Sequence, residues 1–267
     1  MGSWSYWSPE VCLLIAGIIA VAGFTKGFTG IGLPVVAVPL LALVVDVRTT
    51  VVLMAVSIVI TNLWQAFSTD NWIPALKRFW PVMLPMPVAA YVGVAILDSA
   101  DPTFLIGVLG VAVLCFGLIM QTQIDWRIPR GLEPVFGPVA GAVSATLGGM
   151  SSMFAPPLIV YYSTVRIDRE VLIATFGLTY LFGVVPMVGS LAWFGILGPS
   201  EVGWSTLVAV PGFGGMLIGQ VLRGHAPEQF FRRAMLFVLM VSGVTMIYKA
   251  VGNLTAIPMV SVPLPPL

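Results

Sequence analysis

The sequence predicts an all-α integral membrane protein made of two inverted repeats, each a glycine-broken helical hairpin followed by three transmembrane helices. Three observations lead to this prediction: the composition, the long uncharged stretches and a similarity between the two halves. Of the 267 residues, 58% are hydrophobic and only 9% are charged, whereas an ordinary soluble domain has about 25% charged residues. A soluble protein this apolar would have too little polar surface to cover itself, so we expect the chain to lie in a lipid bilayer.

The charge, cysteine and histidine content excludes several classes of function. A net charge of +1 provides no basic face for a nucleic acid, so no nucleic-acid partner is expected. The two cysteines lie in apolar runs, and the Cys/His spacing typical of a metal site is missing from the sequence, so we predict no metal and no cofactor. With one histidine and no carboxylate in the middle of a predicted span, we predict that the chain is not an enzyme.

Six plain membrane helices are predicted from the uncharged stretches. A spanning helix needs about 20 apolar residues, and charged turns separate the candidate stretches, which keeps those charges outside the hydrocarbon core. The stretches that each supply one span are 49–69, 79–97, 102–124, 171–200, 202–222 and 230–250.

Two further regions, 11–45 and 134–165, are too long for one span and contain clusters of small residues. The clusters lie at 23–32 and 146–152. Because Gly and Ser weaken a helix interior, each region is predicted to break into two arms of about 15 residues, or about 22 Å. Such arms are shorter than the roughly 30 Å hydrocarbon core, so re-entrant hairpins or broken helices fit better than full spans.

The two broken regions resemble each other, which predicts an internal duplication. The tripeptide Val-Ala-Gly at 21–23 recurs at 139–141, an offset of 118 residues, and at this offset Gly30 corresponds to Gly148. Self-similarity at a fixed offset indicates repeated structural units. The predicted repeats, which together form one membrane domain, are 1–130 and 131–267.

The distribution of Lys and Arg predicts the orientation, because cytoplasmic loops carry an excess of these residues. If each broken region returns to the side from which it enters, nine of the twelve basic residues fall on one side and two on the other. If each region crosses once instead, six basic residues fall on one side and five on the other. Same-side return is therefore favoured. It orients the two halves oppositely, as in many secondary transporters, and it places both termini outside the cytoplasm. The predicted cytoplasmic loops are 68–78, 122–133, 165–170 and 223–233.

Lys26 is the strongest candidate for a ligand-binding residue. It is the one charged residue in the 35 residues of 11–45, and a charge at membrane depth costs at least about 2.5–3.5 kcal/mol on insertion scales. A lysine there offers a positive point charge to an anion, and the free N–H groups at a half-helix N-terminus attract anions too. The alternative is that the Lys26 side chain extends to the membrane interface.

Small and polar residues complete the predicted site. Glycines let backbone amides approach a ligand and hydroxyls can replace the hydration shell of an anion, although the small residues could instead serve close helix packing. Asn62 and Gln65 lie on one helix face and could line the pathway or bond between helices. With Lys26, the predicted substrate-binding residues are Gly27, Thr29, Gly30, Gly32, Asn62, Gln65, Gly148, Gly149, Ser151 and Ser152.

The run GFTGIGLPVVAVPLL at 27–41 resembles the glycine-rich signature of the TauE/SafE sulfite exporter family. A second copy at 141–157 is similar, although there Gly-Gly is followed by Met-Ser-Ser at 148–152. The resemblance implies a multi-pass carrier in the bacterial cell inner membrane that moves small sulfur-containing organic or inorganic anions of the sulfite or sulfonate type.

The predicted function is secondary transport of such an anion by alternating access, with the two broken regions meeting near the membrane midplane. The expected partners are a small anionic substrate, the lipid bilayer and a coupling ion, H⁺ or Na⁺; passive transport down a gradient stays open. The alternative is an anion-selective channel in which the positively charged break acts as the filter. A purely structural subunit would leave the duplication and Lys26 unexplained.

Overall fold

The computed structural model describes residues 8–30, 32–68, 70–121, 127–165, 167–223 and 228–251. Within these ranges the chain is α-helical without strands, which confirms the predicted helical class. Five helices (α1, α3, α6, α9 and α10) are long and apolar enough to cross a membrane, and a bent pair, α4 and α5, makes up to six. The helices are α1 (Pro9–Thr29), α2 (Leu33–Val44), α3 (Val47–Phe67), α4 (Trp72–Met83), α5 (Met86–Ser99), α6 (Pro102–Gln121), α7 (Glu133–Ser151), α8 (Ala155–Thr164), α9 (Arg169–Trp193), α10 (Pro199–Leu222) and α11 (Glu228–Val251).

The first helix break lies at the C-terminal end of the glycine cluster. The helix α1 ends at Thr29 and α2 begins at Leu33. Gly30 and Gly32 have φ angles of 86° and 127°, in the left-handed range that glycine adopts at no steric cost. The break therefore depends on these two glycines.

The second break separates α7 from α8. Its C-cap residue, Ser152, has a φ of 64°, which is uncommon for a residue other than glycine. The N–H of Ile128, just before α7, donates to the carbonyl of Thr164 at the end of α8 at 3.0 Å. The α7–α8 pair is thus a hairpin whose two ends lie on the same side.

Corresponding helix caps and prolines of the two halves lie 122 residues apart, one helical turn more than the offset of 118 in the sequence comparison. At 122, Lys26 corresponds to Gly148, and Gly30 corresponds to Ser152 rather than to Gly148. Three pairs share this offset: the C-cap residues Gly30 and Ser152, the prolines Pro34 and Pro156 in the first turns of α2 and α8, and the N-cap residues Asp46 and Asp168.

The prediction that the first broken region has two arms of about 15 residues is wrong. The helix α1 has 21 residues, about 31 Å at 1.5 Å per residue, and α2 is the short arm with 12. The chain stays helical through the first part of the glycine cluster because Gly23 and Gly27 lie against the backbone of α10. This close packing offsets the low helix propensity of glycine.

The prediction of a single plain helix over 79–97 is also wrong. The structure has two helices there, α4 ending at Met83 and α5 beginning at Met86, with a bend of 52° between them. Pro85 and Pro87 explain the bend, because proline lacks the N–H donor that a helix interior requires and its ring clashes with the preceding turn.

Close packing across the two halves holds the broken helices in place. The helix α1 packs along α10, and α7 packs along α5. A Cβ at Gly23 would overlap the backbone of Gly212, and one at Gly149 would overlap the backbone of Ala90. Because lipid tails are as apolar as the helices themselves, association in a bilayer depends on such close backbone approach. Each break is thus positioned by a helix of the other half.

Gly23→Ala tests this packing. The added Cβ would overlap the Gly212 carbonyl, so the helices must separate, and we expect a loss of about 1–3 kcal/mol, the usual cost of overpacking. Thermal unfolding of purified protein in detergent measures the change. Gly17→Ala is the matched control on α1, because nothing lies within 4 Å of a Cβ there. Equal melting temperatures for the two variants would contradict the close approach of α1 and α10.

Candidate functional site

Lys26 lies in the last turn of α1 and is buried, with 4% of its surface exposed. Its Nζ donates to Asn62 Oδ1 at 2.7 Å and to Thr61 Oγ1 at 3.2 Å, and it lies 5.9 Å from the ring centroid of Tyr180. These contacts point the side chain into the protein. They exclude the alternative in which Lys26 extends to the membrane interface.

The Lys26 ammonium has no opposite charge within ion-pair distance in the part of the chain that the structure describes. The ion pairs found there join Arg48 to Asp98 and Arg78 to Glu133. A buried charge without an ionic partner costs several kcal/mol, of which the negative end of the α1 dipole offsets roughly 0.3–1 kcal/mol. An ammonium has three donors, so one remains for a ligand.

The two polar residues predicted on α3 have different roles. Asn62 donates from its amide nitrogen to the carbonyl of Ile58 at 2.8 Å, which turns its oxygen toward Lys26. Gln65 donates to the carbonyl of Gly30 and to that of Ile173, both at 2.9 Å. Asn62 thus belongs to the lysine site, whereas Gln65 connects the first break to α9.

A cavity of about 410 Å³ reaches Lys26 from one side of the molecule. Gly30 and Gln65 lie beside Lys26 in its buried part, and the exposed Asp70 and Glu170 lie in its outer part. The outer residues belong to loops that the sequence assigns to the cytoplasm. The remaining lining residues are Ser68, Asn71, Ile173, Met216, Gln220 and Arg223.

A second, much smaller cavity of about 10 Å³ also touches Lys26 and lies against the first turn of α2. It has space for about one water molecule. The first N–H groups of a helix have no partner within that helix. At the start of α2 the cavity is lined by the N-cap residue Gly32 and by Pro34, which has no N–H to donate. The residues lining this cavity are Lys26, Gly30, Gly32, Pro34, Asn62, Gln65, Phe176 and Tyr180.

Tyr180 lies in this site although it is not among the predicted substrate-binding residues. Its side chain is buried, and its hydroxyl has no hydrogen-bond partner among the described residues. An unpaired buried hydroxyl costs about 1–3 kcal/mol. From sequence it is one tyrosine within an apolar span, and only the packing of α9 against α3 brings it to Lys26.

A family model described as Sulfite exporter TauE/SafE matches residues 14–246. The chain belongs to the TauE/SafE sulfite exporter family. The match covers both glycine-rich runs and confirms the resemblance that they indicate. No curated protein and no solved structure matches the chain. Family membership implies a multi-pass membrane exporter of sulfite or a related sulfur-containing anion, and the members of this family are transporters rather than enzymes.

Two predicted residues of the TauE/SafE signature run serve local structure. The Thr29 hydroxyl donates to the carbonyl of Thr25 at 2.9 Å, and a Cβ at Gly27 would overlap the backbone of Met216. Neither residue lines either cavity around Lys26. Gly30 and Gly32 are the glycines of the run that reach the site.

The predicted residues of the second break do not line these cavities either. Gly149 packs against α5, and the Ser151 hydroxyl donates to the carbonyl of Leu147 at 2.7 Å. The Ser152 hydroxyl is buried without a partner among the described residues. In this TauE/SafE protein the residues of the second break therefore do not join Lys26 in lining the two cavities, although the predicted substrate-binding set includes them.

An aromatic ring occupies the position that corresponds to the lysine in the second half. Gly148, 122 residues after Lys26, lies against the Phe154 ring, and a Cβ there would overlap that ring. Gly183, 122 residues after Thr61, lies against the same ring. Phe154 is fully buried and packs on Tyr180 with ring centroids 5.3 Å apart. The place that the Lys26 charge has in the first half is thus taken by an aromatic ring in the second half.

Arg223, which the sequence analysis counts only as a determinant of topology, caps the end of α1. Its guanidinium donates to the carbonyl of Gly27 at 2.7 Å and to that of Phe28 at 3.1 Å. Cations are favoured at helix C-termini, so Arg223 fixes the end of α1 from α10. It also lines the larger cavity.

Tyr180→Phe tests whether the unpaired hydroxyl is there for a ligand. Removing a buried hydroxyl without a partner relieves its desolvation cost, so we expect the ligand-free variant to be as stable as wild type or about 1 kcal/mol more stable. Thermal unfolding with and without sulfite measures this. We expect sulfite to stabilise the variant less than wild type. A destabilised variant with undiminished sulfite stabilisation would show that the hydroxyl is structural.

Proposed function

We propose that this protein is a secondary transporter that moves a small sulfur-containing anion, of the sulfite or sulfonate type, across the bacterial cell inner membrane by alternating access. The observation that carries the proposal is the buried Lys26 ammonium at the inner end of an open cavity. Its described hydrogen-bond partners are neutral, so a bound anion would supply the opposite charge.

The groups around Lys26 suit a compact oxyanion. The ammonium offers a charged donor, and the Tyr180 hydroxyl, which has no partner among the described residues, is free to donate. Charge-assisted hydrogen bonds are roughly twice as strong as neutral ones, so Lys26 would contribute most of the affinity. In this proposal the anion replaces Thr61 or Asn62 as a partner of the ammonium.

The contrast between the two cavities supports alternating access. The larger cavity gives access to Lys26 from the side that the sequence assigns to the cytoplasm, while the smaller one provides space for about one water molecule. This arrangement suits the inward-facing state of a carrier better than a continuous channel. The reciprocal packing of α1 on α10 and α7 on α5 supports a pseudo-symmetric exchange between two such states.

Lys26→Met removes the charge and keeps an unbranched side chain. Hydrogen bonds to a charged group contribute about 1.5–3 kcal/mol, so we expect sulfite transport in reconstituted vesicles to fall by about tenfold or more. We expect folding stability to be unchanged or higher, because the cost of burying a charge is removed. Lys77→Met, which removes an exposed lysine of α4, is the control and should transport as wild type does.

Normal transport by Lys26→Met would contradict the anion-binding role of the lysine. The same vesicles test the carrier mechanism, because a carrier saturates with substrate concentration. Non-saturating currents in wild-type vesicles would instead support the anion-selective channel.

A further inference from the structure

A second polar cavity of about 380 Å³ lies away from Lys26, where α4, the start of α7 and the end of α8 meet. Ligand pockets usually measure about 300–1,000 Å³, so the cavity is large enough for a small ligand. Its charged residues are three arginines and one glutamate. The lining residues are Arg78, Arg127, Ile128, Pro129, Arg130, Glu133 and Thr164.

The walls of this arginine cavity are held by interactions within the protein. Arg78 donates from Nη2 and Nε to the two carboxylate oxygens of Glu133 at 2.7 and 3.1 Å, a bidentate geometry that fixes both side chains. Glu133 itself is buried. The bond from Ile128 to Thr164 holds the segment that carries the other two arginines. The cavity therefore does not need a ligand to form.

The charges in this cavity do not balance. Glu133 neutralises Arg78, whereas the exposed side chains of Arg127 and Arg130 have no hydrogen-bond or ion-pair partner among the described residues. Among the described residues that line the cavity, two positive charges are left over. The planar guanidinium fork matches the oxygens of a phosphate group, and basic pockets between membrane helices on the cytoplasmic side bind phosphate-bearing headgroups. The sequence assigns both contributing loops to that side.

We propose that the arginine cavity binds a phosphate-bearing anion, held by Arg127 and Arg130 beside the Arg78–Glu133 pair. The phosphate would come from the headgroup of an anionic lipid or from free phosphate in solution. This site is separate from Lys26 and does not depend on what the protein transports.

Native mass spectrometry of purified protein in a neutral detergent tests the proposal. The probes are phosphatidylglycerol and, separately, inorganic phosphate, added to wild type and to Arg127→Gln/Arg130→Gln. We expect wild type to retain one phosphate-bearing molecule and the double variant to retain about tenfold less, since hydrogen bonds to charged groups are stronger than those between neutral groups. Lys77→Gln, which removes one exposed cation of α4 outside the cavity lining, is the control and should bind as wild type does.

Loss of phosphatidylglycerol alone in the double variant supports a lipid headgroup as the ligand, and loss of inorganic phosphate supports a soluble one. Equal binding by wild type and the double variant overturns the proposal. So does an equal loss in Lys77→Gln, because binding would then follow surface charge in general. Matching elution of the three proteins in size-exclusion chromatography confirms that the variants are folded. If the double variant does not fold, each single variant is measured in its place, and undiminished binding by both overturns the proposal.

Discussion

The burial of one positive charge without a matching negative charge is the constraint on which the rest of this structure depends. Taking an ammonium out of water costs several kcal/mol, and the protein offsets part of that cost with dipoles. The C-terminal end of α1, two oxygens of α3 and the face of the Tyr180 ring all favour the cation. Since all of these are neutral groups or partial charges, the site keeps an attraction for an anion, and we interpret Lys26 as the centre of the proposed transport site.

Glycine makes this site geometrically attainable in two different ways. Gly23 lets α1 approach α10, so α1 stays helical far enough to carry Lys26 into the protein. Gly30 and Gly32 then take up left-handed conformations that end α1 and start α2 beside the lysine. In the second half, Gly148 accommodates the Phe154 ring instead. The site is therefore asymmetric although the helix order of the two halves is similar, which suits a single bound anion.

The sequence predicts what depends on composition and on local backbone chemistry. Hydropathy gives the membrane class, the clustered glycines locate the first break, and the isolated charge of Lys26 identifies the candidate site.

The sequence does not predict what depends on tertiary packing. Helix propensity alone places a break near Gly23, where contact with α10 preserves the helix. The residues Tyr180 and Arg223 reach the site only because helices of the second half pack on those of the first. The bend between α4 and α5 could have been predicted from Pro85 and Pro87, which lie inside an uncharged stretch. The length of that stretch alone indicates one span.

An experimental structure of the protein with bound sulfite tests the central claim most directly. We expect density for the anion with an oxygen about 2.7–3.2 Å from Lys26 Nζ, and with the Tyr180 hydroxyl as a further donor. A structure in which the anion lies elsewhere, while Lys26 still donates only to Thr61 and Asn62, would contradict the anion-binding role of Lys26.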